Sequence, residues 1–387
     1  MKLLKWFTVL GLASLIVACG TNEQNNTTKE TVKEPSSNTI KVGLVLPMTG
    51  GQATLGQENA NGIKLALEKI HKTSKFKFET YLEDDKSEAL EATNAIRKLI
   101  NINKVNAIIG EATSTNSLAM APIAQAAKIP MFSPSATNVK VTQTGNFISR
   151  ACFTDDFQGV VMAKFAIENL QLKNGLILTD KSADYSIGLS KSFKEEFLRL
   201  GGKLATDEEL TYIQKDIDFQ TILRKVLRAN PEVIFIPGYY TEVGLIIKQA
   251  RSLGINAVIL GGDGLDSPKL FEIAGDAVKG VYISSHFAPD DKDPAVQAFV
   301  AEYVEAFKVP PGAMAALGYD SMGILADAVA RAKSTSPEDI NAAIIATKNY
   351  AGITGIITID ENRNSKKPVV VLETTTKEFI FKAKVNP

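Results

Sequence analysis

The sequence predicts an α/β protein built from two doubly wound parallel sheets. Three observations carry this. From residue 40 onward, short apolar runs alternate with amphipathic helical patterns. The alternation breaks near residues 150–158 and then resumes, which gives two such runs. Finally, the roughly 350 residues after position 38 exceed one comfortable hydrophobic core, so two domains are expected.

In the first run, residues 40–46 (IKVGLVL) read as a strand buried on both faces, because strands covered by helices lose the polar alternation of half-exposed ones. Residues 57–70 place Ile63, Leu65, Ala66, Leu67 and Ile70 on a helical stripe, and residues 76–82 alternate like a strand. Residues 88–102 are helical through Ala92, Ala95, Ile96, Leu99 and Ile100. A strand at 105–109 ends at Gly110, a helix follows at 118–127, and 129–132 is a strand.

The second run repeats the scheme. Residues 176–178 form a strand, and a helix at 187–200 stops at Gly201-Gly202. Residues 204–210 read as a strand, and a helix at 219–229 is closed by Pro231. Strands at 233–236 and 257–260 flank a helix at 242–252. After Gly280 the pattern changes to long helices at 296–307 and 322–333, then an apolar strand at 369–373 (VVVLE). Regular β-α-β order implies parallel sheets with helices on both faces.

The N-terminus reads as an export signal. Lys2 and Lys5 precede an apolar stretch from Trp6 to Ala18 that is too short to span a bilayer comfortably. On residue type alone, an ordinary signal with an incidental cysteine or an uncleaved anchor also fits. The residues Ile16-Val17-Ala18-Cys19 resemble the bacterial lipobox, which implies a signal peptide at 1–18 and lipidation of Cys19. Residues 19–38 are rich in Thr, Asn, Glu and Lys with little to bury, so a flexible tether is expected.

Composition narrows the function. Basic and acidic residues number 43 each. Loss of residues 1–18 removes two lysines, which leaves 41 basic against 43 acidic groups and a net charge of −2. No basic patch stands out, so nucleic acid is not an expected partner. With Cys19 committed to lipid, Cys152 has no intramolecular partner and reads as a small buried hydrophobe. His71 and His286 stand in no metal-ligand spacing and read as surface or packing residues. No nucleophile elbow, dinucleotide fingerprint, phosphate loop or zinc-protease motif is present, so no enzyme, metal or cofactor is expected.

Several short motifs then occur in order. They are Ile109-Gly110 with Thr113-Ser114-Thr115, Ser133-Pro134-Ser135-Ala136-Thr137-Asn138, Gly238-Tyr239-Tyr240, Gln249-Ala250-Arg251, Gly261-Gly262-Asp263-Gly264 and Ala316-Leu317-Gly318-Tyr319-Asp320. Through them the chain resembles, from about residue 40 to 373, the type I periplasmic-type solute-binding proteins, in the branched-chain amino-acid (Leu/Ile/Val) binding group of ABC transport systems. The resemblance implies two lobes joined by a three-crossover hinge, with the ligand in the cleft. The first lobe would comprise 39–155 and 287–365, and the second 156–286 and 366–387.

It also implies a site. Ser114, Ser135, Ala136 and Thr137 match positions that hold a ligand's α-carboxylate and ammonium; by residue type alone, Ser114 reads as a helix N-cap and Thr137 as a turn residue. Asp263, after the apolar run 257–260, would meet the ammonium, with Asp266 a cap or surface residue. Relatives often carry Glu at this position, and Asp is one methylene shorter. Tyr185 and Tyr239 would cover the ligand from the second lobe, with Tyr240 the alternative to Tyr239. Leu55 and Met314 would meet the ligand side chain or simply pack; relatives are often aromatic there, so the pocket is softer here.

The implied function is capture of Leu, Ile or Val outside the cytoplasm by a protein lipid-anchored to the cell membrane, and delivery to the permease subunits of an ABC transporter. The same fold binding an amide, a urea-like solute, an aromatic acid or a peptide, or acting as a sensor ectodomain, stands as the alternative.

Overall fold

The computed structural model describes residues 38–386. The expected signal peptide, the lipidation site Cys19 and the tether up to residue 37 lie outside the described residues. The described residues form one compact unit. No helix among the described residues is long and apolar enough to cross a membrane.

The first sheet is wholly parallel. Its strands are β1 (Thr39–Leu46), β2 (Lys77–Asp84), β3 (Ala107–Gly110), β4 (Met131–Ser133) and β5 (Ile148–Arg150), in the order β2-β1-β3-β4-β5. Helices α1 (Ala53–Thr73), α2 (Ala89–Lys98), α3 (Ser114–Ala127) and α4 (Lys140–Gln143) connect them. The period-2 geometry of β1 explains its unbroken apolar run. Ile40, Val42, Leu44 and Leu46 enter one core, while Val45 enters the core beneath α2 and α3 on the opposite face.

The chain then crosses to the second sheet through 151–154 and begins α5 (Asp155–Lys164). Strands β6 (Asn174–Asp180), β7 (Lys203–Leu204), β8 (Leu210–Tyr212), β9 (Val233–Ile236), β10 (Val258–Gly261) and β11 (Tyr282–Ser285) follow, separated by α6 (Asp184–Arg199), α7 (Gln220–Ala229), α8 (Tyr240–Ser252) and α9 (Pro268–Ala274). Phe193 stacks on both Phe197 and Phe235 in this core, with centroids 5.3 and 4.0 Å away.

A second passage, 286–293, returns to α10 (Pro294–Phe307), α11 (Ala313–Arg331), α12 (Pro337–Ile345) and a small antiparallel sheet. That sheet comprises β12 (Tyr350–Gly352), β13 (Gly355–Ile359) and β14 (Ser365–Lys366). Met322, Leu325, Ile340 and Ile357 pack here with the apolar face of β1. A third passage, 367–368, leads to β15 (Val369–Thr374) and β16 (Phe379–Val385). Both are antiparallel additions, and the second sheet runs β16-β15-β11-β10-β9-β6-β7, with β8 also on β6.

Two expectations change. Residues 204–210 are not one strand: β7 and β8 pair with opposite ends of β6, and 205–209 between them leaves the sheet. That stretch carries Asp207, Glu208 and Glu209, whose charges favour water over a ladder position. The helix expected at 322–333 starts nine residues earlier, at Ala313. Its first turns are small residues, because α11 crosses α1 in close contact. A Cβ on Gly62 would lie 1.9 Å from the Ala315 carbonyl oxygen, and one on Gly318 would lie 2.3 Å from that of Asn59. This crossing fixes the N-terminal turns of both helices, which carry Leu55 and Met314.

Candidate functional site

The loops at the carboxyl ends of both sheets converge on one small cavity. The structure brings Leu55, Ser114, Ser135, Thr137, Tyr185, Tyr239, Asp263 and Met314 together around it, joined by Ala112 and Gly264. Ala136 is the exception among the anticipated residues. Its methyl packs in the first-sheet core, its N–H donates to Ser133 Oγ at 3.0 Å, and its carbonyl accepts from Arg150 Nη1 at 2.7 Å. Alternation along the segment after β4 turns 135 and 137 to the cavity and 136 away.

On the first-sheet wall, the hydroxyls are already half committed, and their spare valences differ. Ser114 is the first residue of α3 rather than its cap. Its Oγ accepts from the Asn138 N–H at 3.1 Å, so its own O–H remains to donate. Ser135 Oγ donates to the Ala112 carbonyl at 2.8 Å, so its lone pairs remain to accept. The wall therefore offers a donor beside the positive end of a 14-residue helix, which suits a carboxylate, and an acceptor close by, which suits an ammonium.

The opposite wall is acidic and aromatic. Asp263 follows β10 and is 2% exposed. Tyr185 donates to its Oδ1 at 2.9 Å and itself accepts from the Gly264 N–H at 3.1 Å. Burial, then the charge of Asp263, holds the Tyr185 phenol well above its ordinary range, so it stays a donor. Tyr239 stacks on Tyr185, with centroids 5.3 Å apart. The glycines around Asp263 allow this closeness: a Cβ on Gly262 would lie 2.2 Å from Tyr185 Oη. Tyr240 turns elsewhere, and its Oη accepts from Thr54 N and Oγ1 at 3.1 and 2.8 Å.

That last contact is one of several bonds joining helices and loops of the two sheets across the cleft. Thr115 Oγ1 accepts from Asp184 N at 2.9 Å, and Asn138 Nδ2 donates to the Asp184 carbonyl at 2.7 Å. Thr241 Oγ1 donates to the Gly51 carbonyl at 2.7 Å, and Lys215 pairs with Glu88 at 2.5 Å on the exposed rim. The rim pair is solvated, so its contribution is small.

Several residues that reasoning from sequence passed over support these groups. Gln158 Oε1 accepts from Asp263 N at 3.0 Å and from Ser284 Oγ at 2.5 Å. His286 Nε2 lies 3.0 Å from Asp263 Oδ2, so this histidine is more than a packing residue. The missed signal was the apolar strand pattern of 281–285, which ends at His286 as the pattern of 257–260 ends just before Asp263. Asp266, expected as a cap or surface residue, is instead buried, and its Oδ2 accepts from Ser285 Oγ at 2.6 Å. Cys152 is buried with its thiol pushed up to about 12 by desolvation, which leaves it inert as expected of a packing residue.

Beneath the floor lies a buried acid pair. Glu111 Oε2 accepts from Thr113 N and Oγ1 at 2.6 and 2.5 Å, and its carbonyl accepts from Ser117 and Ser133. Asp85 lies close enough that its charge disfavours ionisation of Glu111. Burial pushes Asp85 up to about 6, and burial followed by the Asp85 charge pushes Glu111 well up. A carboxyl raised on folding contributes stability that is present below its unfolded pKa, near 4, and lost as pH rises through the folded value, here about 6. Asp85→Asn is therefore expected to gain thermal stability relative to the parent as pH rises from 5 to 8. Parallel melting-temperature curves for the two proteins would contradict this.

The family model for periplasmic binding proteins matches residues 39–377. The structure is similar to that of the leucine-binding protein LivK from Thermotoga maritima, with a TM-score of 0.86 and 43% identity, covering 90% of this chain and 99% of that one. It is similar to the branched-chain amino-acid binding protein LivJ from Streptococcus pneumoniae, solved in complex with isoleucine (TM-score 0.84, 31% identity, 90% and 100% covered). A solute-binding protein from Rhodopseudomonas palustris, in complex with 3,4-dihydroxybenzoic acid, is also similar (TM-score 0.82, 29% identity, 90% and 98% covered).

Proposed function

Because the chain belongs to the periplasmic binding protein family, we propose that it captures a free aliphatic α-amino acid, Leu, Ile or Val, in the cavity between its two sheets. The observation that carries this reading is the division of labour around that cavity. A spare hydroxyl donor at a helix N-terminus faces a buried carboxylate, with Leu55 and Met314 beside them. The ligand's carboxylate takes the Ser114 wall with Thr137. Its ammonium takes Asp263 and the lone pairs of Ser135 and Ala112. Its side chain takes Leu55 and Met314.

The cavity is small, which favours a single amino acid over a peptide. An aromatic acid lacks the ammonium and would leave Asp263 buried against no cation, at a cost of several kcal/mol.

Binding closes the two sheets' units around the solute, with the passages at 151–154, 286–293 and 367–368 as the hinge. The bonds from Thr54, Thr115, Asn138 and Thr241 across the cleft are those of the closed form. A ligand touching both walls favours closure by its differential affinity for that form. The units are then the lobes 39–155 with 287–365 and 156–286 with 366–387. Lipid on Cys19, with the segment after it as a tether, holds the protein outside the cytoplasmic membrane near the permease subunits of an ABC transporter.

Calorimetric titration with a panel of Leu, Ile, Val, Ala, Phe and 3,4-dihydroxybenzoate tests the reading. Tightest binding by one of the branched aliphatic members is expected. Binding of the benzoate with none of the aliphatic amino acids would overturn it.

A further inference from the structure

His286 belongs to both the hinge and the site. It is the residue after β11, at the start of the second passage, and it is 1% exposed. Its ring stacks on Phe153 of the first passage, with centroids 3.7 Å apart and planes 20° from parallel. The charge of Lys367, in the third passage, reaches it as well. Lys367 is buried and donates to Thr354 Oγ1, and Thr354 Oγ1 in turn donates to Asp320 on α11 at 2.6 Å. The first and second passages thus meet at this imidazole, within reach of the Lys367 charge of the third.

Its tautomer follows from its neighbours. Nε2 lies 3.0 Å from Asp263 Oδ2, and Nδ1 has no partner. A proton on Nδ1 would leave a buried N–H unpaired and set two lone pairs against each other at Nε2 and Oδ2. The proton therefore sits on Nε2. Burial, opposed by Asp263 but reinforced by Lys367, pushes the ring down to about 4, so it is neutral at ordinary pH and donates a single bond.

We propose that His286 is a positioning residue: its Nε2–H fixes Asp263, and its place among the three passages ties the ligand-facing carboxylate to the hinge. Asp263 then carries one fixed donor on each oxygen, Tyr185 on Oδ1 and His286 on Oδ2. Tyr185 rides on α6, whereas His286 is clamped at the passages. The carboxylate is held ready for a cation only when both are in register. This rests on the reading of Asp263 as the ammonium acceptor.

The test uses the purified protein, L-leucine as probe, and three variants. His286→Phe keeps the stack on Phe153 and removes the donor. His286→Gln keeps an N–H donor. Asp263→Asn is the control for the underlying reading. His286→Phe is expected to weaken leucine binding about 10- to 100-fold, with His286→Gln intermediate between it and the parent. Nitrogen-15 NMR of the chain's two histidines should show His286 in the neutral Nε2–H form. Equal losses in the Phe and Gln variants, or an Nδ1–H tautomer in the parent, would overturn the positioning role. The NMR measurement decides it even if His286→Phe fails to fold. If Asp263→Asn loses leucine while His286→Phe binds like the parent, this inference fails alone. If Asp263→Asn binds leucine normally, the reading beneath it fails.

Discussion

Replacing Asp263 with asparagine is expected to weaken amino-acid binding by about 30-fold to several thousand-fold, while the protein stays folded. The substitution preserves shape and one acceptor oxygen, and it removes the charge. In a cavity walled by Tyr185, Tyr239, Leu55 and Met314, little water remains to solvate a ligand ammonium. Neutral acceptors such as Ser135 Oγ and the Ala112 carbonyl remain, but neither restores the charge. Truncating one partner of a buried, hydrogen-bonded charge pair costs about 2–5 kcal/mol, which sets the expected range. Stability should change far less, because the asparagine oxygen can still accept from Tyr185 or His286. Calorimetry with leucine reads the effect, and circular dichroism checks the fold. An unchanged dissociation constant would remove Asp263 from the site.

Arg150→Met should produce the largest loss of stability. Arg150 is fully buried at the end of β5, and its two terminal nitrogens each donate at 2.7 Å, to the carbonyls of Ala136 and Asn138. Those two bonds hold the segment whose intervening residue, Thr137, faces the cavity. Methionine fills similar space but removes both charged donors, which leaves the Asn138 carbonyl only the Val141 N–H at 3.1 Å and the Ala136 carbonyl only the weak Cys152 thiol, and the nearby buried Asp155 loses a favourable charge. Breaking such an arrangement costs about 3–5 kcal/mol. The urea midpoint should fall, and amide hydrogen exchange should quicken across residues 131–142. Leucine binding should weaken with it. Unaltered exchange in that segment would contradict this role.

Much of the architecture was legible because period and punctuation are local. The strand at 40–46 announced itself by an apolar run, and the helix before Gly201-Gly202 by its stop signal. Strand direction is not local. The run at 369–373 read as a strand, but nothing in it shows that β15 lies antiparallel to β11. The helix Asp155–Lys164 reads from sequence only as a break, because DDFQGVVMAK puts acidic residues and Gly159 inside a buried segment. Gly159 is needed there, since a Cβ would come within 2.7 Å of the Phe193 backbone on α6.

The cavity was legible for a different reason. Hydroxyls, aromatics and an acid at successive strand ends stood out as residue types, and the resemblance gave them roles. What stayed hidden was the layer behind them. Arg150, Gln158 and His286 act by bonding to groups more than a dozen residues away or on other strands, and no spacing rule links Gln158 to Asp263. Ala136 failed for the opposite reason. It belongs to the right segment, but the chain's alternation turns it into the core.

The central claim is that this cavity selects a solute bearing both a carboxylate and an ammonium. Calorimetric titration with L-leucine beside 4-methylpentanoate, which lacks only the ammonium, tests it most directly. Leucine should bind at least about 100-fold more tightly, since the desamino acid leaves Asp263 facing no cation. Equal or tighter binding of 4-methylpentanoate would contradict the account.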